Sequence, residues 1–278
     1  MTAGPGDCML KVIDQMGRKV SVSRAPQRIV SLVPSQTELL VDLGLIERLV
    51  GVTDFCTEPA AALASKPRIG GTKRFAFDRI AALEPDLIIG NREENYQEGI
   101  ARLATEYPVW MSDIASLEQN CAMIRAIGAM TGTAIAADRI AAGTERAFAN
   151  LGEMQLGSAA YLIWRKPWMA AASGTFIDAM MRYAGFENAF QDCHRYPEIG
   201  IDELVLRAPE WVLLSSEPFP FTQTHVAELA AQLPGSRVVI VDAMPFSWYG
   251  SRMLNAADYF CRLRKQLNEP ANALSDVG

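Results

Sequence analysis

The sequence predicts an α/β protein: two similar α/β lobes with mostly parallel sheets, joined by one long helix, with a ligand cleft between the lobes. Three observations predict it. The chain contains a weak copy of itself, short apolar runs alternate with helical patterns in both copies, and a proline-free stretch rich in helix formers separates them.

The elements follow in order. VIDQMGRKVSV, from Val12, alternates around Gly17 and reads as a β-hairpin. Ala25-Pro26 leads into a strand over Arg28–Leu32. SQTELLVDLG, from Ser35, reads as a helix, with Ser35 and Glu38 at the spacing of a capping box and Gly44 as its stop. FDRIAALEPDLIIGNREE, from Phe77, is a short helix, a proline stop at Pro85 and a strand buried on both faces. Ile100–Ala104 is helical and is followed by Pro108 and a strand at Val109–Met111.

Thr133 to Gln155 then lacks proline and is dominated by Ala, Glu, Arg and Leu, so it predicts one helix of about 35 Å at 1.5 Å per residue. Beyond it the pattern returns. SGTFIDAMMRYAG, from Ser173, is a second hydroxyl-capped helix ending at a glycine, Gly185. IDELVLRAPEWVLLSSEP, from Ile201, matches the segment from Phe77 without a gap, placing Asp202 on Asp78, Pro209 on Pro85 and Glu217 on Glu93. Val226–Ala230, Pro234 and the strand Val238–Val241 complete the copy. The implied domains are residues 1–131 (N-terminal lobe with its hairpin), 132–156 (connecting helix) and 157–278 (C-terminal lobe).

Composition narrows the function. The net charge of −6 and pI near 5.1 argue against a nucleic-acid partner. No apolar run approaches the ~20 residues needed to span a bilayer, so the chain is not membrane-embedded. The five cysteines form no CxxC pair and are odd in number, which reads as scattered thiols, Cys56 among them as a buried thiol rather than a ligand contact. Two histidines, His194 and His225, are too few for a metal site built mainly of imidazoles. The first residues show no basic start and no apolar h-region, so no export signal is visible and a cytoplasmic location stays open.

No catalytic constellation emerges. There is no GxSxG elbow and no GxxxxGK[ST] loop; Gly70-Gly71-Thr72-Lys73 is a fragment of the latter, and Gly4-Pro5-Gly6 does not follow a strand. Glu93 and Glu94 are adjacent and read as a solvated helix start rather than an acid–base pair. The enzyme reading that competes is a cytoplasmic tetrapyrrole-handling protein such as a metal chelatase, with His194 as its candidate residue.

Ligands of doubly wound sheets sit beyond the carboxyl ends of the strands. The loops expected there carry Phe55 and Phe75 from the first lobe and Trp164, Trp168, Phe219, Phe221, Phe246, Trp248 and Tyr249 from the rest. Rings provide broad contact with little rotamer entropy to lose, which suits a bulky planar or macrocyclic ligand. Lys73, Arg74, Arg92, Arg165, Lys166 and Arg252 lie beside them as partners for anionic groups. Arg252 directly follows the aromatic loop and is the cation favoured for ligand contact.

Taken together these segments resemble the substrate-binding proteins of ABC importers for ferric siderophores, haem and cobalamin. The likeness runs from about Val12 to Leu267 and is strongest in RIGGTKRFAFDRIAALEPDLIIGNREEN and in FSWYGSR. Thr72 stands near the place of a pocket tryptophan in the cobalamin-binding members. The resemblance implies a monomeric carrier without intrinsic cofactor, whose ligand is a cobalt corrinoid or iron chelate (cobalamin, cobinamide, a ferric siderophore or haem). It also implies an ABC permease as partner and a periplasmic or cell-surface location. In that family an acid on each lobe docks onto permease arginines. Asp78 and Asp202, with Glu203 adjacent, match those positions, and the same acids also read as helix-terminal charges.

Overall fold

The computed structural model describes residues 9–23 and 25–268; Cys8 and Gly4-Pro5-Gly6 lie outside the described residues. The chain divides into two compact units. The first comprises residues up to Ile114, Glu118–Thr144 and Tyr249–Arg252; the second comprises Ala115–Leu117, Glu145–Trp248 and Met253 onward.

The first unit opens with the expected hairpin, β1 (Leu10–Ile13) pairing antiparallel with β2 (Lys19–Val22). Next come β3 (Ile29–Ser31), α1 (Pro34–Asp42), β4 (Leu49–Val52), α2 (Ala60–Leu63), β5 (Gly70–Gly71) and β6 (Arg74–Phe75). They are followed by α3 (Phe77–Ala82), β7 (Leu87–Asn91), α4 (Gln97–Leu103) and β8 (Val109–Ser112). β4, β3, β7 and β8 form one parallel sheet in that order. All five residues of β7 are buried, as a parallel strand covered on both faces should be. α3 stops before Pro85, as the repeat predicts.

The cap of α1 differs from the expectation. Pro34 occupies the first helical position, where its fixed φ and missing N–H are both tolerated, so the helix starts one residue before Ser35. Ser35 is then buried inside the helix and caps nothing, and Glu38 is released from a capping box for another partner. Gly44, at φ +76°, ends the helix as predicted.

α5 (Leu117–Thr131) and α6 (Ala134–Ala149) follow. The connecting helix is therefore shorter than the sequence suggested. It stops at Ala149, and the chain turns through Gly152 at φ +66° before the next strand. The unit assignment changes within α6, between Thr144 and Glu145.

The second unit holds β9 (Gly157–Trp164), β10 (Trp168–Ala170), α7 (Phe176–Tyr183), β11 (Phe186–Asn188) and β12 (Glu198–Ile199). Then come α8 (Ile201–Arg207), β13 (Trp211–Ser215), α9 (Gln223–Gln232), β14 (Arg237–Val241), α10 (Met244–Ser247) and α11 (Met253–Asn268). β9, β13 and β14 are parallel neighbours, β11 pairs parallel with the start of β9, and β10 and β12 extend the edge antiparallel. The hydroxyl cap of α7 is Thr175, which accepts the Asp178 N–H at 3.1 Å. α8, β13, α9 and β14 reproduce the order α3, β7, α4, β8, so the repeat seen in sequence is one of structure. Ala160, Leu162, Val212, Leu214, Phe190 and Leu229 form the core on which this sheet rests. Phe246, expected at a ligand loop, is instead fully buried, with its ring centroid 5.0 Å from those of Tyr161 and Phe260.

Candidate functional site

The second unit gathers four of the predicted aromatics. Trp164 ends β9 and Trp168 begins β10; Phe219 and Phe221 lie in the loop after β13. Trp164 meets Phe219 edge-on at 5.6 Å, Phe219 meets Phe221 at 4.7 Å, and Trp168 lies parallel to Phe221 at 6.0 Å. Trp164 is 40% exposed, while Phe221 is buried beneath its neighbours. Loops at the carboxyl end of a parallel sheet bring these rings together, with Phe221 in the core and Trp168 and Phe219 packed against it.

His225 belongs to the same cluster and was not singled out from sequence. Its ring lies 5.4 Å from Phe219 and 5.6 Å from Phe221. Thr222 N–H donates to His225 Nδ1 at 2.9 Å, which places the imidazole proton on Nε2. The visible signal was Thr-x-x-His, a capping box with histidine in the place of glutamate.

The predicted cations are largely engaged. Arg165 Nη2 donates to both Glu228 oxygens at 2.7 Å, with its guanidinium 5.6 Å from the Trp168 ring centre. Arg92 pairs with Asp113 at 2.7 Å. Arg252 makes two hydrogen bonds to Glu38, at 2.8 and 2.7 Å, and so does not serve as a ready ligand contact. Burial pushes the Glu38 carboxyl up, and the Arg252 hydrogen bond only partly offsets it. Lys73 donates to the Glu93 carbonyl at 2.7 Å; Arg74 and Lys166 are exposed.

Arg165 holds the Glu228 carboxyl below the usual glutamate range, chiefly through its hydrogen bond. A depressed acid contributes above its ordinary value and loses that contribution as pH falls through the lowered one. Tryptophan fluorescence during acid titration should therefore report release of Arg165 from beside Trp168 over that window. Glu228→Gln should remove the step; an unchanged step in the variant would assign it elsewhere.

In the first unit's parallel sheet, β3, β7 and β8 end in polar residues. Ser31, Asn91 and Ser112 are all buried, and Gln36 Nε2 donates to Ser112 Oγ at 2.6 Å. Asn91 Oδ1 accepts the amides of Glu93 at 2.8 Å and Glu94 at 3.2 Å, so this pair of acids sits in a side-chain-held turn rather than at a helix start. Glu94 in turn accepts the Tyr249 hydroxyl at 2.8 Å. Gly250 N–H donates to Asn120 Oδ1 at 2.6 Å. Tyr249 is only 5% exposed, and burial beside the Glu94 charge holds its phenol well above its ordinary pKa. It acts as an anchor rather than an open ring face.

Trp248 is half-buried, and its indole N–H donates to Glu217 Oε1 at 2.8 Å within the second unit. Phe55 is 61% exposed, but Phe75 is buried, packed against Phe77 at 6.2 Å and Tyr96 at 4.8 Å. Cys56 is fully buried, with Thr37 Oγ1 and Thr53 Oγ1 each 3.1 Å from its sulfur. His194 packs over Gly174, where a Cβ would come within 2.8 Å of its ring.

Asp78 and Asp202 sit in the first turns of α3 and α8 and are exposed; the N-cap residues there are Ala76 and Gly200, which bring no capping side chain. Glu203 pairs with Arg207 at 3.1 Å. A cavity of about 1150 Å³ opens elsewhere in the second unit, lined by Asp178, Arg182, Glu187 and Arg264 among others, with none of the aromatic cluster in its wall. Buried Arg264 there donates to the carbonyls of Leu151, Gly152 and Tyr183, so its guanidinium braces the main chain. Among the described residues no group of three or more His, Cys, Asp and Glu is placed to hold a metal ion, and no helix is long and apolar enough to cross a membrane.

The chain is a two-unit α/β build, and its second unit carries an aromatic ring cluster at the strand ends. Residues 29–235 match the family model described as periplasmic binding protein, and the chain belongs to that family. A vitamin B12-binding protein of Pectobacterium carotovorum subsp. carotovorum is 26% identical over 85% of this chain and 87% of its own length. One from Yersinia pestis is 24% identical over 89% and 90%. Among solved structures, the periplasmic vitamin B12-binding protein of Vibrio cholerae superposes with a TM-score of 0.75 at 21% identity, covering 88% of this chain and 99% of that one. A periplasmic haem-binding protein solved with two haems gives 0.73 at 24% identity, covering 86% and 98%.

Proposed function

We propose that this protein is the substrate-binding component of an ABC importer. It takes up a bulky corrinoid-like chelate in the cleft that its family's two-lobed build provides and delivers it to a permease without chemical change. The observation that carries this reading is the ring cluster of Trp164, Trp168, Phe219 and Phe221, whose neighbouring guanidinium, Arg165, is already paired with Glu228. A polyanionic catecholate would have to break the Arg165–Glu228 pair to gain the guanidinium beside these rings. A broad ligand of low net charge needs only ring faces and a few hydrogen bonds. The vitamin B12-binding relatives point the same way. The protein would act as a monomer, outside the cytoplasmic membrane.

Purified protein should bind cyanocobalamin or dicyanocobinamide stoichiometrically in an absorbance or calorimetric titration, with weaker binding of ferric enterobactin. Tight binding of the catecholate with none of the corrinoids would overturn the ligand class.

Asp78 and Asp202 are the proposed permease contacts, because they occupy equivalent exposed places in the repeat. Glu203 is a weaker candidate, since it is drawn to Arg207. The double change Asp78→Lys and Asp202→Lys should abolish uptake in cells and leave ligand affinity intact; uptake that persists would remove the docking role.

A further inference from the structure

The two strands matched in the repeat, β7 and β13, end in equivalent polar residues, Asn91 and Ser215, and each is followed by an acidic loop. Asn91 Oδ1 holds the amides of Glu93 and Glu94. Ser215 Oγ donates to the Glu217 carbonyl. In both units the acid so placed receives a ring donor, and the two donors are consecutive residues. Tyr249 donates to Glu94 in the first unit and Trp248 to Glu217 in the second, each at 2.8 Å. The next residues are tied down as well, Gly250 to Asn120 and Arg252 to Glu38.

We propose that Glu217 and Glu94 are positioning residues: Glu217 fixes the Trp248 indole directly, and Glu94 fixes the main chain beside it by anchoring Tyr249. The inference rests on the corrinoid reading in one respect, that Trp248 faces the ligand. With its N–H committed to Glu217, Trp248 offers π surface and no donor, so it selects for a flat apolar face and against an acceptor atom at that point. Glu217 touches no ligand and acts through the ring it holds. Indole N–H to carboxylate is a charge-assisted bond, stronger than its neutral counterpart, and fits a device that fixes one orientation.

The test uses the full chain carrying 5-fluorotryptophan. It has five tryptophans, so Trp248→Phe identifies the Trp248 ¹⁹F resonance by its disappearance. In ligand-free protein, Glu217→Ala should shift or broaden that resonance and leave those of Trp110 and Trp211 in place. Glu217→Gln, whose amide oxygen still accepts the N–H, should restore it. Glu94→Ala should disturb the same resonance, and should add nothing in a Tyr249→Phe background. With cyanocobalamin as the probe, Glu217→Ala should weaken binding by about tenfold and Glu217→Gln by less than twofold, with thermal unfolding of both near that of the parent. A Trp248 resonance unmoved by Glu217→Ala, or a glutamine variant as impaired as the alanine one, overturns the proposal. If the parent binds no corrinoid, the functional reading fails while the ¹⁹F comparisons still decide the positioning role.

Discussion

If the proposed corrinoid reading holds, replacing Trp168 with alanine should lower corrinoid affinity by roughly ten- to a hundredfold, the range expected when a large aromatic contact in a binding surface is truncated. Trp168 lies within 3° of parallel to Phe221, and the Arg165 guanidinium is 5.6 Å from its ring centre, so its loss leaves both side chains without the ring they pack on. Trp168→Phe keeps a ring in place and should recover much of the loss. Isothermal titration of both variants against cyanocobalamin, with unfolding curves as the control, separates lost contact from lost fold. An alanine variant within twofold of the parent would remove this cluster from the ligand surface.

Phe246→Ala produces the largest loss of stability anticipated for a single change, about 3–5 kcal/mol, with ligand contact playing no part. Phe246 is fully buried and touches Tyr161 and Phe260 at 5.0 Å and Tyr259 at 6.3 Å. Truncation leaves a cavity that the three neighbouring rings cannot readily close. Phe246→Leu retains most of the volume and should cost less than half as much. Equilibrium urea unfolding followed by near-ultraviolet circular dichroism measures both; a loss below about 1 kcal/mol for alanine would mean the site collapses around the smaller residue.

Those two residues mark what the sequence made legible. Proline stops and four-residue apolar runs are local signals, so Pro85 with β7 and Pro209 with β13 were found, and with them the duplicated order of elements. The ring cluster was legible because all four of its members sit beside strand ends. Phe246 and Phe75 were misplaced for a related reason: a ring in a loop sequence faces either way, and only packing decides which. Charge partners were invisible. Arg252 meets Glu38 across 214 positions and Arg165 meets Glu228 across 63, separations at which sequence gives the charges but not their pairing. The start of α1 moved because Pro34 outcompetes Ser35 for it, whereas the hydroxyl cap expected ahead of α7 is Thr175.

Four late residues, Tyr249 to Arg252, are counted with the first unit although residues on either side of them belong to the second. A break anywhere between residues 144 and 249 therefore separates this tetrad from the residues it bonds. A fragment ending at residue 131 would leave the Glu38 carboxylate without its guanidinium, Glu94 without its phenol and Asn120 without its amide, three vacated sockets on one scaffold. Dissection by simple truncation should yield sticky, poorly folded pieces, and a short synthetic peptide spanning the missing tetrad is the natural agent to rescue the amino-terminal one.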